Sequence, residues 1–280
     1  MIKIVTDSTA DIPGTVLAKE NISVVPLQVF FGDECYRDWI EITPPQFYKK
    51  LVTSEYHPRT SQPSPDDFKK IYQKIAGPGD EIVSIHLSQQ LSGTIHSANA
   101  ARETLPDLKI NIYDSELVSM GTGIMVVEAA RAAKRGADRE EIEEVIEHYR
   151  RNTKIYFFVD TLKYMYKSGR IGRAKALFGS MLNIKPLLTF EQGLVTPLEQ
   201  VRGQSRALKR MLELINEDFQ HRKSLKMALV NAADEEGAIR LKSVLEAELD
   251  IGETFISAVG PVIGTHAGPG VLGVILSPAY

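Results

Sequence analysis

Short segments rich in hydroxyl side chains stand where predicted strands end or predicted helices begin. Residues 7–11 (Asp-Ser-Thr-Ala-Asp) follow the first predicted strand, residues 60–65 (Thr-Ser-Gln-Pro-Ser-Pro) precede a helix, and residues 88–94 (Ser-Gln-Gln-Leu-Ser-Gly-Thr) join a strand to a helix. In an open α/β sheet such segments gather at the carboxyl ends of the strands, where ligands bind. Helix N-termini add free N–H groups and partial positive charge. The pattern therefore favours an anionic ligand.

These segments lack a cluster of lysine and arginine side chains. Hydroxyl and helix N–H groups alone suit a single carboxylate better than a polyphosphate. The same residue types also serve as ordinary caps and turns. That interpretation is preferred for Ser64, because the proline after it makes it a helix N-cap, and it stays open for Asp7, Asp11, Thr60 and Ser92.

Three further side chains could contact an anion. His266 is predicted to lie in a turn-rich last loop, residues 264–270, where a neutral imidazole can donate a hydrogen bond and a protonated one binds more strongly. Arg170 and Arg173 share the glycine-containing segment 167–173, predicted to form a turn and a helix start. Their guanidinium groups could meet a phosphate or the acidic side chains of a partner. An ordinary structural or surface role stays open for each of the three.

Several catalytic devices are absent from the sequence. It contains neither a G-x-x-x-x-G-K-[ST] phosphate loop nor a G-x-S-x-G nucleophile elbow. Gly121 and Gly123 follow a predicted strand without the third glycine of a dinucleotide fingerprint, so close helix packing is the better interpretation. The six histidines show no H-E-x-x-H spacing, and Cys35 is the single cysteine. We therefore predict no catalytic residue, no metal site and no cofactor.

Length and composition restrict the class of protein. The 280 residues include 33 Lys and Arg against 36 Asp and Glu, and 43% are hydrophobic. This hydrophobic fraction is ample for packed cores, and the near-neutral charge argues against a basic nucleic-acid-binding surface. The sequence starts without the apolar stretch of a signal peptide, and no apolar run approaches the ~20 residues that span a bilayer. We expect a soluble, cytoplasmic protein with two α/β-sized domains.

The first domain is predicted to span residues 1–152. Its β-rich runs alternate with helices, which is typical of βαβ units around a mostly parallel sheet flanked by helices. The predicted strands are residues 2–5, 22–31, 81–87 and 110–114, and the main helices are residues 44–51, 94–104, 121–135 and 137–151, with a further helix starting at Ser64.

The second domain is predicted to span residues 153–280 and to be α+β, with a mixed or antiparallel sheet. Residues 186–190 and 194–198 flank Glu-Gln-Gly, which predicts a β-hairpin. The other predicted strands are residues 154–159, 225–231, 254–259 and 270–276, and the helices are residues 205–219 and 235–249. No low-complexity linker separates the two halves, so we expect a close interface between them.

Four motifs occur in the order seen in the bacterial DegV family. They are residues 7–11, 60–64, 91–94 and 168–171 (Ser-Gly-Arg-Ile). Each motif is weak alone, but their order and separations together are specific. The chain resembles this family over essentially its whole length, through residues 264–266 and the final strand.

The resemblance implies a non-catalytic carrier that holds one long-chain fatty acid, such as palmitate, stearate or oleate, between its two domains. Thr60 and Ser92 would hydrogen-bond the carboxylate, with His266 assisting. Members of the family serve as the lipid-binding subunit of a bacterial fatty acid kinase, in which a separate subunit binds ATP and makes an acyl phosphate for phospholipid synthesis. Arg170 matches the family arginine associated with phosphoryl transfer, and Arg173 is a looser candidate for the same surface. We expect a monomer.

Two other functions stay open at this point. One is a hydrolase or phosphotransferase that acts on a small phosphorylated metabolite with Asp7 as nucleophile or metal ligand. The other is a regulatory protein whose bound lipid is only a signal.

The affinity of a fatty-acid carrier can be approximated from the length of the tail. Burying a roughly sixteen-carbon tail at about 0.8 kcal/mol per methylene would contribute on the order of 10 kcal/mol to binding, before the costs of ordering and association are subtracted. The tail would then supply the affinity, and the hydroxyl groups would fix the position of the carboxylate.

Overall fold

The computed structural model describes residues 1–179 and 184–280. The strands in these residues are β1 Ile2–Asp7, β2 Ser23–Val25, β3 Gln28–Phe31, β4 Glu34–Arg37, β5 Arg59–Ser61, β6 Glu81–His86, β7 Lys109–Asp114, β8 Lys154–Phe158, β9 Ile184–Glu191, β10 Leu194–Arg202, β11 Leu225–Asn231, β12 Ile251–Ala258 and β13 Leu272–Pro278. The α-helices are α1 Gly14–Glu20, α2 Pro44–Thr53, α3 Pro65–Ile75, α4 Thr94–Glu103, α5 Met120–Lys134, α6 Arg139–Asn152, α7 Lys163–Ser168, α8 Gln204–Phe219, α9 Glu235–Glu248 and α10 Pro261–Ala267.

A four-stranded parallel sheet has the order β2-β1-β6-β7. Val5 and Ile82 are buried on the face that carries α3 and α4, whereas Ile4 and Val83 are buried on the face that carries α1 and α5. Strands buried on both faces are expected in a parallel sheet covered by helices. The predicted parallel sheet with flanking helices is confirmed. The chain adds β2 on one side of β1 and then β6 on the other, so a topological switch point lies between β1 and β6.

A six-stranded mixed sheet forms from the second half of the chain, in the order β10-β9-β8-β13-β11-β12. Its neighbouring strands are antiparallel except for the pair β11 and β12. α8 and α9 pack on one face through a core that includes Met211, Ile215 and Leu241. The predicted mixed sheet is therefore confirmed, as is the hairpin, whose turn is Gln192-Gly193 with both residues at positive φ.

A small antiparallel sheet, β4-β3-β5, was not predicted. The single strand predicted at residues 22–31 is wrong, because Pro26 divides it into β2 and β3, which belong to different sheets. Proline has no N–H to donate to a central ladder, so it ends the first strand. β5 then pairs with β3, and Thr60 lies in a strand rather than in the loop that the sequence suggested.

α10 replaces most of the loop predicted at residues 264–270, so His266 lies on a helix. Pro261 stands at the helix start, where its missing N–H is not needed, and Gly268 ends the helix at φ +80°. A Cβ on Gly264 would lie only 2.7 Å from the ring of Phe47 in α2. The glycine at this position thus allows close packing of α10 on α2 and does not mark a loop.

Candidate functional site

A cavity of about 270 Å³ lies at the switch point of the parallel sheet. Thr9, just after β1, and Leu87, just after β6, line one side. The other side is formed by β8, β11 and β13 of the six-stranded sheet and by α10. The cavity therefore lies between elements of the two halves of the chain, at the edge of the parallel sheet where ligands bind in this topology.

The wall formed by the six-stranded sheet is apolar. Ile155 and Phe157 of β8 line the cavity, whereas Tyr156 and Phe158 pack in the core beneath α8 and α9. Successive side chains of a strand point to opposite faces, so every second residue of β8 reaches the cavity. Val230 on β11 extends the same wall. This surface can enclose an elongated apolar group.

Thr60 and His266 meet in the wall of the cavity. The Thr60 hydroxyl lies 2.9 Å from Nε2 of His266, although the two residues are 206 positions apart in the sequence. β5 places the threonine and α10 places the histidine. Nδ1 of His266 is buried and has no hydrogen-bond partner. Burial lowers the pKa of His266 to about 3, and the nearby charges of Arg170 and His57 act in the same direction, so the imidazole is neutral at pH 7.

Ser92 and Arg170 line the same cavity. The Ser92 hydroxyl lies 2.9 Å from the Thr94 hydroxyl at the start of α4. The exposed Arg170 donates from Nε to the carbonyl of Leu91 at 3.2 Å and from Nη1 to the carbonyl of Ser168 at 2.7 Å. The fold thus brings the three predicted head-group residues and Arg170 to one cavity.

Arg173 lies outside the lining of the cavity. It is exposed and contacts the β9–β10 hairpin, with Nη1 3.3 Å from a carboxylate oxygen of Glu191 and Nη2 donating to the side-chain oxygen of Gln192 at 2.6 Å. Arg173 therefore lies on the outer surface, where it connects the hairpin to the segment that follows α7.

The two aspartates of the first hydroxyl-rich segment are also outside this lining. Asp7 accepts hydrogen bonds from the backbone N–H and hydroxyl of Thr9. Asp11 accepts from the Ser119 hydroxyl at 2.6 Å and from the N–H of Gly260 at 3.1 Å. Thr9 and Ser119 line the cavity, but their hydroxyls are used in these bonds. Both aspartates thus have structural partners.

The apolar lining was not predicted residue by residue. Met165 and Phe190 reach the cavity from α7 and β9, and Val118 reaches it from the segment before α5. Each lies in an apolar pattern that suits a core residue equally well. Only the three-dimensional structure distinguishes a residue that lines the cavity from one that packs in the core, so the sequence carried no signal that could have identified these residues.

The fold and the cavity define a class of α/β proteins that combine a parallel and a mixed sheet and have an apolar cavity at the switch point of the parallel sheet. Within that class, the chain belongs to the DegV family. The family model described as "Uncharacterised protein, DegV family" matches residues 1–279. Several solved structures that this chain resembles are described by their fatty acid binding.

Three solved structures show the extent of the similarity. A DegV family protein from Thermus thermophilus, described by its fatty acid binding, has a TM-score of 0.93 and 34% identity, with 99% of both chains covered. DegV from Bacillus subtilis, described as a fatty acid binding protein, gives a TM-score of 0.92 and 35% identity, again with 99% of both chains covered. A stearic acid-binding protein from Eubacterium ventriosum gives a TM-score of 0.88 and 25% identity, with 99% of this chain and 98% of that protein's chain covered.

Two further features concern metals and membranes. In residues 1–179 and 184–280, no three His, Cys, Asp or Glu side chains are grouped as a metal site would require. Among the helices of the same residues, none is both long enough and apolar enough to cross a bilayer.

Proposed function

We propose that this protein binds one long-chain fatty acid, such as palmitate, stearate or oleate, with its tail in the apolar cavity and its carboxylate at Thr60, Ser92 and His266. The observation that carries the proposal is the combination of an apolar cavity with a hydroxyl–imidazole pair in its wall. The fatty-acid binding described for DegV proteins of similar fold supports it. The ligand would lie between a first domain, residues 1–152, and a second, residues 153–280.

The Thr60–His266 contact explains how a neutral histidine supports an anion. With the proton on Nε2, His266 donates to the Thr60 oxygen, and the threonine hydroxyl is then free to donate to the carboxylate. The buried Nδ1 is in this tautomer an acceptor without a partner, which costs less than a buried N–H without one. Ser92 supplies a second hydroxyl donor. The tail supplies the affinity, and the hydroxyl groups set the depth at which the carboxylate binds.

We further propose that the bound carboxylate is presented to a separate fatty acid kinase, which phosphorylates it to an acyl phosphate. The protein itself would be a non-catalytic, monomeric carrier in the bacterial cytoplasm, and the product would enter phospholipid synthesis. Arg170 is exposed while also lining the cavity, so it can contact both the carboxylate end of the ligand and a docked partner. Arg173 would contribute to the same partner surface.

Loss of the head-group hydroxyls should weaken fatty-acid binding. For Thr60→Val and Ser92→Ala we expect affinity for palmitate to fall about ten- to a hundredfold, because a hydrogen bond to a charged group contributes roughly 1.5–3 kcal/mol. Thr53→Val, on the exposed end of α2, is the matched control and should bind normally. Native mass spectrometry of the purified protein and calorimetry after delipidation give the measurement. Wild-type protein that carries no acyl ligand and takes up no added palmitate would refute fatty-acid binding itself.

Arg170→Ala should separate binding from phosphorylation. We expect palmitate affinity within about threefold of wild type, because Arg170 is exposed to solvent, which screens its charge, and its guanidinium already donates to the carbonyls of Leu91 and Ser168. The rate of acyl-phosphate formation with the kinase and ATP should fall at least about a hundredfold, the size expected for loss of a donor that stabilises transition-state charge. Arg135→Ala, at the exposed end of α5, is the control. A normal rate with Arg170→Ala would exclude this residue from the phosphoryl transfer.

A further inference from the structure

The buried carboxylate of Asp11 connects segments that are far apart in the chain. Its Oδ2 accepts the Ser119 hydroxyl at 2.6 Å, and its Oδ1 accepts the N–H of Gly260 at 3.1 Å and the indole N–H of Trp39 at 3.3 Å. Asp11 itself is 1% exposed and lies outside the lining of the fatty-acid cavity. We call these four residues the Asp11 cluster. The cluster joins the segments after β1 and β4 and the segment before α5 to the residue that precedes α10.

Three residues of the Asp11 cluster have a backbone conformation that is unusual for their type. Asp11, Trp39 and Ser119 have φ of +50°, +63° and +53°. Residues other than glycine rarely adopt a positive φ, and they keep it where the surrounding contacts impose it. Such conformations concentrate at functional sites. The hydrogen bonds to the Asp11 carboxylate link all three residues, so the carboxylate is placed to hold them in this conformation.

Gly260 brings the start of α10 against this cluster. Its φ of −65° and ψ of 163° are open to any residue, so the backbone conformation does not require a glycine. A Cβ at this position would lie 2.4 Å from Nε1 of Trp39 and 2.6 Å from Oδ1 of Asp11. The lack of a side chain is therefore what lets the backbone N–H of residue 260 reach the carboxylate.

Two more polar contacts hold the start of α10 to the first half of the chain. Oδ1 of Asp38 accepts the N–H of Val262 at 3.3 Å, and Tyr48 donates its hydroxyl to the carbonyl of Val259 at 3.1 Å. In sequence, α10 lies between two strands of the six-stranded sheet. Its start is nevertheless positioned by residues of the first half, which also carries Thr60.

The position of α10 sets the contact between His266 and Thr60. His266 lies in the last turn of this seven-residue helix, and its Nε2 is 2.9 Å from the hydroxyl of Thr60 on β5. Because the helix is short, a displacement of its start moves the imidazole as well. Burial lowers the pKa of His266 to about 3, and the charges of Arg170 and His57 add to this effect. A displaced α10 would expose the ring and raise this pKa toward the ordinary value of 6.5.

We propose that Asp11 is a positioning residue for the carboxylate-binding site: its carboxylate holds the start of α10 and thereby keeps His266 against Thr60. Asp11 lies outside the cavity lining and acts through the helix. The effect on ligand binding rests on the fatty-acid binding proposed above, whereas the placement of His266 can be measured in protein without ligand.

Asp11→Gly and Asp11→Asn form the test pair. Glycine removes the carboxylate and adopts a positive φ without strain. Asparagine also tolerates this conformation. Its oxygen can accept the N–H groups of Gly260 and Trp39, while its NH₂ group donates to the hydroxyl oxygen of Ser119. Asparagine therefore preserves the Asp11 cluster, and glycine removes its centre.

Nitrogen-15 NMR of the histidine side chains in delipidated protein gives the measurement, with His266 assigned from the signals missing in His266→Gln. We expect the pKa of His266 to rise from about 3 toward 6.5 in Asp11→Gly and to stay near the wild-type value in Asp11→Asn. Loss of a negative charge would by itself lower the pKa of a histidine, so a rise reports exposure of the ring. A folded Asp11→Gly protein of lower stability but unchanged His266 pKa would show a merely structural role and overturn the proposal.

Gly260→Ala tests the same contact from the other side and keeps the carboxylate. The added Cβ overlaps Trp39 and Asp11, so the start of α10 must move away and the pKa of His266 should again rise. Gly14→Ala is the matched control, because a Cβ there would have open space around it. An unchanged His266 pKa in Gly260→Ala would contradict the positioning role, whether or not Asp11→Gly folds.

Binding measurements separate this proposal from the proposed function. In Asp11→Gly we expect palmitate affinity to fall about tenfold and affinity for 1-hexadecanol, which has the same chain length without a carboxylate, to change less than about threefold. Equal losses for both ligands would mean that Asp11 supports the cavity as a whole, and would overturn the proposal. Wild-type protein that binds no palmitate would refute the fatty-acid function and leave the His266 result to decide the role of Asp11.

Discussion

Ile275→Trp is expected to lower the affinity for stearate roughly 50-fold while changing the affinity for octanoate less than about threefold. α10 joins the end of β12 to the start of β13, so His266, which we propose as a carboxylate ligand, lies at that edge of the six-stranded sheet. Ile275 lies in the middle of β13, paired with Ile155 of β8, and both line the cavity away from this edge. An indole here should exclude about three methylenes of a long tail, at about 0.8 kcal/mol each.

The chain-length dependence distinguishes a shortened cavity from a damaged fold. A short acid does not reach Ile275, so its affinity serves as the internal control in the same variant. Ile275→Val is the matched substitution that enlarges the cavity, and it should retain stearate binding at a stability cost of about 0.5–1.5 kcal/mol. Calorimetry with both acids, together with thermal unfolding, gives the measurement. Equal losses for octanoate and stearate would show that the tail does not lie along β13.

The sequence indicated the polar part of the site better than its apolar part. Short motifs in a fixed order predict Thr60, Ser92 and His266 as carboxylate ligands, and the structure brings all three to one cavity. The contact between Thr60 and His266 could not be derived from spacing, because β5 belongs to the small sheet and α10 lies between two strands of the six-stranded sheet. The helix around His266 was missed because glycines that serve close packing have the same sequence signature as glycines in a loop.

The parallel and mixed sheets could be predicted because the alternation of strand and helix patterns is a local signal in the sequence. The small sheet of β3, β4 and β5 did not, because its strands have only three or four residues and Pro26 interrupts the apolar run before β3. In β8, Ile155 and Phe157 line the cavity and Tyr156 and Phe158 do not. All four side chains are apolar or aromatic, so the hydrophobic pattern could not show which face of β8 lines a cavity and which face packs in the core.

Asp7→Asn is expected to lower the free energy of unfolding by about 3 kcal/mol. Asp7 is 1% exposed, and each of its carboxylate oxygens accepts two hydrogen bonds. One oxygen accepts the N–H and the hydroxyl of Thr9 at 3.0 and 2.5 Å. The other accepts the N–H of Leu87 at 3.1 Å and Nδ1–H of His86 at 3.0 Å. An asparagine would direct its NH₂ group at two of these donors, so the variant leaves buried donors unpaired.

A buried relay makes this substitution more costly. The Tyr72 hydroxyl lies 2.8 Å from the Ser84 hydroxyl, which lies 2.7 Å from Nε2 of His86. With His86 donating to Asp7, the consistent order is tyrosine to serine to histidine to aspartate, and every polar hydrogen is used. The four side chains are at most 1% exposed. The Ser–His–Asp order is that of a hydrolase triad, but its serine is inaccessible to a substrate, which makes the relay a structural element between β1, β6 and α3.

The same variant decides between this structural role and the alternative in which Asp7 is a nucleophile or metal ligand. A structural aspartate predicts a large loss of stability in chemical unfolding and normal palmitate affinity wherever the variant is folded. Asp67→Asn is the matched control, because Asp67 accepts two bonds from Ser64 in an exposed capping box and its loss should cost about 1 kcal/mol. An Asp7→Asn protein of unchanged stability that lost a magnesium-dependent hydrolase or phosphotransferase activity would instead establish the catalytic role. Because all four acceptor positions of Asp7 are occupied by buried donors, we expect the loss of stability.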